Sequence, residues 1–430
     1  MLGARMPPDK PQTRVAILTG ASLSWNPRAL KEAQSLSRAG LNTIVYGASG
    51  NREQQRIDEA LAKEKGFSFT SVVQSNGDDL RSRILSTWRR ARTRIGCDLN
   101  RYLGIEHAWQ LGASVVELAK AAAKDRADYY IAHLEQGAWV GAQLRRRGFN
   151  VGVDMEDWYS EDLPPRARKA RPIRLLRSLE RQLLCTGMHA TCPSRAMSKS
   201  LAREFQCCEP DVVYNAFPWS DRIAIDGRFK DRVDIDLPSI HWVSQTIGQD
   251  RGLVDLLSAL PLLKHKAEIH LRGRVTNGLR AWFYGQIPEG WRQRVVIHDV
   301  VSNAELLSRI SEHDIGLATE IPVIRNKDLT VSNKILHYLL AGLAVVATET
   351  AGQREVAAQA PGGILLYQSG NASALAALLN RLLASKNMLA IAKRCSLDAA
   401  ERIFCWEVQE KTLLRSIESA LGHEQFHRSC

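Results

Sequence analysis

Short apolar runs alternate with helix-like segments along the first half of the chain. Residues 14–20 (RVAILTG) form an aliphatic run that ends in glycine, and residues 21–40 carry alanines and leucines at helical spacing. Residues 41–47 then predict a second strand. This order is a βαβ unit, so it predicts a parallel sheet with right-handed crossovers. Residues 128–133 and 149–155 predict two further strands of that sheet.

The second half repeats this alternation with different residues. A short strand is predicted near Ala190 and a linker near Pro218, and only helices are predicted after residue 349. Between these points the predicted strands are residues 239–244, 267–273, 294–299, 315–320 and 344–349. The fold class is therefore α/β, with two Rossmann-like, doubly wound parallel-sheet domains facing across a cleft. Ligands of such domains bind outside the carboxyl ends of the strands.

The pattern also places the domain boundaries. We expect an N-terminal, acceptor-binding domain at 1–217 and a C-terminal, donor-binding domain at 218–405. A helical tail at 406–430 is expected to pack back on the first domain. The length of 430 residues, of which 45% are hydrophobic, suits two domains that each bury a core.

No apolar stretch approaches the roughly 20 residues of a membrane-spanning helix, and the first residues lack the apolar core of a signal peptide. We therefore expect a cytoplasmic protein. The eight cysteines have no metal-ligand spacing, so they are interpreted as free thiols.

The formal net charge of +12 predicts attraction to an anionic partner. Much of it lies at 81–94 and 166–182, where arginines mix with apolar residues at helical intervals. These runs are either basic amphipathic helices that attach the protein to the inner face of an anionic membrane, or solvated helix faces whose leucines enter the core. Neither run has the pattern of a nucleic-acid-binding module, so no nucleic acid is expected.

The segment at 329–356 (LTVSNKILHYLLAGLAVVATETAGQREV) carries the most specific chemistry. It predicts a helix that begins after Ser332 and ends at Gly342, with Lys334, His337 and Tyr338 on a polar arc that faces away from the core. The first backbone amides of such a helix, together with Lys334, can hold a diphosphate. An ordinary amphipathic helix is the alternative interpretation.

This segment resembles the donor-binding helix of GT-B glycosyltransferases of the retaining family-4 (group 1) type. The matching residues are Ser332, Asn333, Lys334, Tyr338, Gly342, Val345, Val346, Ala347, Gly352, Glu355 and Val356. The resemblance implies the GT-B fold and transfer of a sugar, with retention, from a nucleotide-diphosphate donor to a carbohydrate or lipid-linked acceptor, as in polysaccharide biosynthesis. It implies no cofactor besides the nucleotide sugar. Lys334 and Arg251 would neutralise the diphosphate, and His133 would lie beside the transferred sugar.

The chain departs from the family pattern at two places. The family's Glu-x7-Glu pair falls on Leu329 and His337, so His337 would bond the ribose, with Asp328 or Glu320 as the missing carboxylate. The family's Gly-Arg and Lys-Gly pairs fall on Ser244-Gln245 and Arg251-Gly252. Arg272 and Arg274 either restore the lost charge or are ordinary surface arginines. The predicted donor-binding residues are Gly20, Gln245, Arg251, Arg272, Ser332, Asn333, Lys334, His337 and Glu355.

Polar residues of the first half predict an acceptor site. The loop at 20–28 ends in Asn26 and Arg28, and Glu156, Asp157 and Trp158 follow a predicted strand. Aromatic rings stack on sugar faces, and carboxylates accept from sugar hydroxyls. The acidic cluster could instead be the Asp-x-Asp metal site of the other glycosyltransferase fold, but that fold has one sheet domain, so no metal is expected.

Three other functions remain open at this point. A nucleotide-sugar epimerase can share the two-domain plan, a degenerate relative can serve as a non-catalytic sugar-binding or partner module, and a basic peripheral-membrane scaffold would use the arginine runs.

Overall fold

The computed structural model describes residues 12–73, 80–248 and 251–427, which form two compact units. The first contains the described residues of 1–192, 198–212 and 412–430, and the second those of 193–197 and 213–411. The chain thus passes to the second unit at 212/213, where we had expected 217/218. From Thr412 the last helix belongs to the first unit, where Ser416 Oγ donates a 2.6 Å hydrogen bond to Asp211 Oδ2.

The first unit contains a seven-stranded sheet whose order is β3-β2-β1-β4-β5-β6-β7. Each pairing is parallel. The strands are β1 Arg14–Leu18, β2 Asn42–Gly47, β3 Ser68–Ser71, β4 Tyr129–His133, β5 Val151–Asp154, β6 Ala190–Cys192 and β7 Asp211–Val212. Because β1 lies between β2 and β4, the strand order reverses there, and ligands of doubly wound sheets bind at such a point.

The second unit contains a six-stranded parallel sheet whose order is β10-β9-β8-β11-β12-β13. The strands are β8 Ser239–Thr246, β9 Glu268–Arg274, β10 Val295–His298, β11 Ile315–Ala318, β12 Ala344–Thr348 and β13 Ile364–Tyr367. Its core packs Trp242 of β8 with aliphatic residues of the neighbouring strands and helices. Near-continuous burial of β11 and β12 is what a parallel sheet covered on both faces requires.

Helices follow most strands. In the first half they are α1 Pro27–Arg38, α2 Arg52–Glu64, α3 Leu80–Leu103, α4 Val115–Asp125, α5 Leu134–Arg146, α6 Pro165–Arg168, α7 Ile173–Thr186 and α8 Arg195–Phe205. In the second half they are α9 Leu253–Ala259, α10 Asn277–Gln286, α11 Asn303–Ser311, α12 Arg325–Leu329, α13 Asn333–Ala341, α14 Ala351–Gln359, α15 Ala372–Leu383, α16 Lys386–Arg402 and α17 Trp406–His427.

Two predicted elements are wrong. The helix expected over 21–40 begins only at Pro27, because Asn26 Oδ1 accepts a 3.0 Å hydrogen bond from Ala29 N and caps α1 there. The expectation of helices alone after residue 349 misses β13, which pairs with β12. Its four residues (ILLY) are too few for their periodicity to separate a strand from a helix.

The predicted polar arc of α13 is also wrong at Tyr338, which is fully buried. Its hydroxyl donates to Leu317 O at 3.2 Å and accepts from Val243 N at 3.1 Å, which ties α13 to β11 and β8. A Cβ on Gly316 would lie 2.3 Å from Cγ of this ring, so the ring occupies the space that the glycine leaves. The tyrosine therefore anchors the helix and does not line a polar surface.

Within the described residues, no single helix is both long and apolar enough to cross a membrane. Helices α15 and α16 meet the test of length and composition only as a pair, and a bend of 103° separates them.

Candidate functional site

The start of α13 gathers three polar side chains of the second unit. Glu320 follows β11 and lies beside this helix start, where its Oε1 accepts a 2.8 Å hydrogen bond from Ser332 Oγ and another from Lys334 Nζ. Both members of the Lys334–Glu320 ion pair are mostly buried but retain some solvent exposure. Ser332 directs its hydroxyl at this carboxylate and makes no side-chain cap to its own helix. The predicted lysine therefore stands at the helix start together with a paired carboxylate.

A chain of contacts links Lys334 to Arg251 across the carboxyl ends of β8 and β11. Lys334 Nζ lies 5.8 Å from the ring centre of Trp242. The indole Nε1 of Trp242 donates to Thr319 Oγ1 at 3.0 Å, and this hydroxyl donates to Arg251 O at 2.9 Å. Gly252 has a φ of +72°, and a Cβ there would meet Thr319 Cβ at 2.8 Å. This close approach places the backbone of Arg251 and Gly252 against Thr319, at the end of β11.

Two further predicted donor residues lie on α13 itself. Asn333 Oδ1 accepts a 3.1 Å hydrogen bond from Asn215 Nδ2. His337 stacks on Phe217, with ring centres 3.6 Å apart, so one face of the imidazole is covered.

The sequence offered Asp328 and Glu320 as substitutes for the family's missing glutamate. Asp328 accepts a hydrogen bond from Ala351 N at 3.0 Å and so holds the start of α14. Glu320 is thus the one that lies with Lys334.

The structure disagrees with two predicted donor contacts. The carboxylate of Glu355 accepts hydrogen bonds from Arg195 N and Ala196 N at 2.9 and 2.8 Å, so it holds the N-terminus of α8. Arg272 is buried, pairs with Asp231 and donates to Asp299 O at 2.6 Å. Neither the donor-binding nor the surface interpretation of Arg272 therefore fits. Gln245, by contrast, is exposed at the carboxyl-terminal part of β8.

A second group of polar side chains lies in the first unit, at the carboxyl ends of its central strands. His133 ends β4 and is completely buried. Its Nε2 is 2.7 Å from Glu32 Oε2, and its Nδ1 is 2.8 Å from Glu156 Oε1. Burial alone would lower the pKa of His133, but the charge of Glu32 and the hydrogen bonds to Glu156 and Glu32 raise it well above its ordinary value. Each ring nitrogen thus faces a carboxylate oxygen, an arrangement that favours the doubly protonated imidazolium.

An ion pair between Arg28 and Asp154 lies next to this histidine. Asp154 stands in register with His133 on the neighbouring strand, and Arg28 Nε is 2.9 and 2.8 Å from its two oxygens. Asn26 Nδ2 donates to Glu156 Oε1 at 2.8 Å. The sequence-predicted residues Asn26, Arg28, His133 and Glu156 are thus in one cluster. Because His133 is buried, however, its predicted contact with the transferred sugar is wrong.

The spacing of three residues in this cluster could hold a metal ion, since ligand atoms of Glu32, His133 and Asp154 lie within 4.8 Å of one another. However, Arg28 already neutralises Asp154 and both nitrogens of His133 are hydrogen-bonded. Each of the three side chains therefore already has a protein partner of opposite charge. Independence from metal stays a prediction.

The remaining predicted residues of the first unit differ in how far they are exposed to solvent. Trp158 is fully buried, with its ring centre 6.0 Å from that of Phe205, so it offers no face to a sugar and its predicted stacking role is wrong. Asp157 and Glu156 keep partial exposure. Gly20 has a φ of +65° and its carbonyl accepts from Ser114 Oγ at 3.3 Å, so it makes the turn after β1.

Sequence reasoning missed Glu32. It lies one turn after Arg28 on α1, and a charged residue on the apolar side of this helix was the available signal. Burial of two charged side chains on one helix face requires partners, and His133 and Asp154 supply them.

Comparisons with known proteins agree with this architecture. Residues 238–385 match the family model described as Glycosyl transferases group 1. By sequence, no protein of curated function matches the chain.

Solved structures match nearly the whole chain. A glycosyltransferase from Rickettsia africae has a TM-score of 0.67 at 12% identity, covering 95% of this chain and 98% of its own. Sucrose-phosphate synthase from Thermosynechococcus elongatus has a TM-score of 0.66 at 14% identity, covering 97% and 98%. HepE from Anabaena, in complex with UDP and glucose, has a TM-score of 0.65 at 15% identity, covering 95% and 100%. The GT-B type of fold is therefore confirmed, as is the resemblance to group 1 glycosyltransferases over the matched residues.

Proposed function

We propose that this protein transfers a sugar from a nucleotide-diphosphate donor to a carbohydrate or lipid-linked acceptor, with retention of anomeric configuration and without a metal ion. The observation that carries the proposal is the joint position of Ser332, Lys334 and Glu320 at the start of α13, beside the end of β11 that holds the backbone of Arg251.

The leaving diphosphate gains negative charge as the sugar bond breaks, so catalysis requires positive groups that are already in place. In this proposal Lys334 and Arg251 supply cations, and the backbone amides at the start of α13 add the positive end of the helix dipole. Before the donor binds, Glu320 holds Lys334 and Ser332 in position. When the diphosphate binds, the ammonium group of Lys334 pairs with it instead of with Glu320. His337, stacked on Phe217, presents an imidazole edge for the nucleoside.

The first unit takes the acceptor in this proposal. Glu156 is the partly exposed end of the buried cluster, and its Oε1 is fixed by His133 and Asn26. A carboxylate fixed in this way accepts a hydrogen bond from an acceptor hydroxyl and orients it for attack. His133 then acts as a positioning residue, because it acts through Glu156 and touches no solvent.

Similarity to known proteins supports the donor class. The match to group 1 glycosyltransferases covers the residues that form α13, and the structurally similar HepE is bound to UDP-glucose in one of its structures. A uridine diphosphate sugar is therefore the first donor to test.

The experiment begins with nucleotide binding by the full chain. Addition of UDP or GDP should raise the melting temperature, since a ligand at 100 times its Kd stabilises the folded state by about 2.7 kcal/mol. Lys334→Ala should abolish the response, whereas the matched control Lys386→Ala, an exposed lysine on α16, should keep it. No response to any nucleotide diphosphate would favour a non-catalytic binding module.

Product analysis then tests the reaction. A transferase consumes the donor only with an acceptor or water, whereas an epimerase converts the donor sugar without releasing the nucleotide. Proton NMR of the first product should show the donor's anomeric configuration, and EDTA should leave the rate unchanged. Inversion or loss of activity with EDTA would contradict the proposed mechanism.

A further inference from the structure

Four large apolar side chains form a line along the exposed side of α3. Ile84, Trp88, Ile95 and Tyr102 are separated by four, seven and seven residues. At about 100° per residue, they fall within about 40° of the helix circumference and span about 27 Å of its axis. Their exposed fractions are 59%, 57%, 42% and 72%. We call these four residues the apolar line.

A second line on the same helix consists of arginines. Arg83, Arg90, Arg94 and Arg101 are exposed and lie roughly 100° around the helix from the apolar line. In the part of the chain that the structure describes, none of the four forms an ion pair. We call these four residues the arginine line. Its cations are therefore available to an anionic surface.

The face of α3 that lies opposite the arginine line, and roughly 100° from the apolar line, holds the helix to its own unit. Arg92 donates to Glu117 and to Ala113 O at 2.9 and 2.8 Å, and Arg89 pairs with Glu117 at 3.3 Å. Gly96 is buried, and a Cβ there would meet Trp109 at 3.0 Å. Since packing uses this face, the side chains of the apolar line remain exposed.

The second basic segment of the sequence meets the end of α3. Arg174 donates to Gly104 O and pairs with Glu106, while Asn100 Nδ2 donates to Arg171 O at 3.2 Å. The side chain of Arg174 is 77% exposed. The start of α7 therefore lies against the end of α3, with the exposed side chain of Arg174 beside it.

We propose that α3 docks in the plane of a membrane that contains anionic lipids, with the apolar line at the acyl-chain boundary and the arginine line at the lipid phosphates. Tryptophan and tyrosine prefer this interface, and helices with one apolar and one basic face lie in it. A protein partner would call for a compact apolar centre with a polar rim, whereas the apolar line is long and narrow. This partner goes beyond the proposed sugar transfer and does not depend on it.

Vesicle flotation with the full chain tests the proposal. The protein should float with vesicles of equal parts phosphatidylcholine and phosphatidylglycerol and stay at the bottom of the gradient with phosphatidylcholine alone. Raised salt should reduce binding, because it screens the arginines. Sedimentation in the absence of vesicles reports whether the chain self-associates.

Two double variants test whether vesicle binding depends on the apolar line and on the arginine line. Trp88→Ser with Ile95→Ser removes the centre of the apolar line, and Arg90→Gln with Arg94→Gln halves the arginine line. Each arginine removed should weaken binding to anionic vesicles about fivefold. The control combines Ile391→Ser and Arg394→Gln on α16, an exposed apolar and basic pair outside α3, and should bind like the wild type.

The outcomes discriminate among the candidate partners. Loss of flotation in both α3 variants, with unchanged melting temperature and unchanged response to UDP, supports the proposal. Absence of flotation by the wild type overturns it. An equal loss of flotation in the α16 control would assign the binding to nonspecific attraction. A wild-type dimer that binds no vesicles, and that Trp88→Ser with Ile95→Ser dissociates, would assign the surface to a second copy of the chain.

Discussion

Lys334 donates a hydrogen bond to Glu320 at the start of α13, and Ser332 donates to the same carboxylate oxygen. The pair gives the helix start little net charge. A diphosphate that binds Lys334 is therefore also repelled by the carboxylate of Glu320. Its affinity depends on the difference between its attraction to Lys334 and its repulsion by Glu320.

The first prediction concerns Glu320→Gln. The amide keeps an oxygen for Ser332 but removes the negative charge, so UDP should bind roughly fivefold more tightly, because two charges at about 4 Å interact by one to several kcal/mol near a protein surface. Isothermal titration of wild type and variant measures the change. Glu349→Gln, an exposed carboxylate on the same unit, is the control. Weaker binding by Glu320→Gln than by the wild type would show that Glu320 itself contacts the nucleotide.

The second prediction concerns the buried imidazolium of His133. Its pKa is raised in the folded state by Glu32 and Glu156, so its contribution to stability is complete below the ordinary histidine value of about 6.5 and is lost as pH rises through the higher folded value. His133→Gln should therefore lower the free energy of unfolding by about 3–5 kcal/mol near pH 6 and by less at alkaline pH. Urea unfolding across this range measures the difference.

The control for this variant is His265→Gln, because His265 is exposed. A cost of His133→Gln that is the same at every pH would mean that the histidine is neutral and that its role is packing alone.

The third prediction concerns a row of histidines in the second unit. The ring centres of His241 and His313 are 4.5 Å apart, those of His313 and His270 are 4.6 Å apart, and His270 Nδ1 is 2.9 Å from His298 Nε2. Burial, followed by the charge of Arg272 and the neighbouring histidines, lowers the pKa of His241 well below its ordinary value.

Burial also lowers the pKa of His270 to about 4. These histidines are thus neutral in the folded state and take up protons on unfolding. The stability of the second unit should fall as pH drops from about 6.5 toward 4.

Replacement of His241 by Phe tests this relationship. Neither ring nitrogen of His241 has a hydrogen-bond partner among the described residues, so the variant removes a buried polar group as well as a titrating one. We expect a gain of about 1–2 kcal/mol in unfolding free energy at pH 5 and a smaller gain at pH 8. Urea unfolding at the two pH values checks this, and equal gains would refute the titration argument.

The fourth prediction concerns Gly316→Ala. The new Cβ would overlap the ring of Tyr338, so β11 and α13 must separate, at a cost of about 1–3 kcal/mol. The nucleotide-induced rise in melting temperature should also shrink, because the start of α13 moves. Gly285→Ala is the matched control, since nothing lies within 4 Å of a Cβ at that helical position. A variant as stable as this control would mean that the tyrosine ring relocates freely.

Local sequence patterns predicted most strands because a buried parallel sheet needs apolar runs. Glycines also mark where elements end, Gly20 after β1 and Gly342 after α13. The same patterns could not identify β13, which is too short for its periodicity to be distinctive. Nor could they assign Tyr338 to the core, because a hydroxyl on a helix face is buried only if a neighbouring strand offers partners and a glycine makes room.

The sequence by itself determined the two α/β sheets and the polar residues at the start of α13, since both depend on patterns among residues close together in the chain. Only the tertiary structure decided that Glu320 pairs with Lys334, that Glu32 and Glu156 share His133, and that Arg272 and Trp158 are buried. These relationships join residues far apart in sequence. The pKa, the exposure and the available charge of each group depend on which distant side chains the strand order brings beside it.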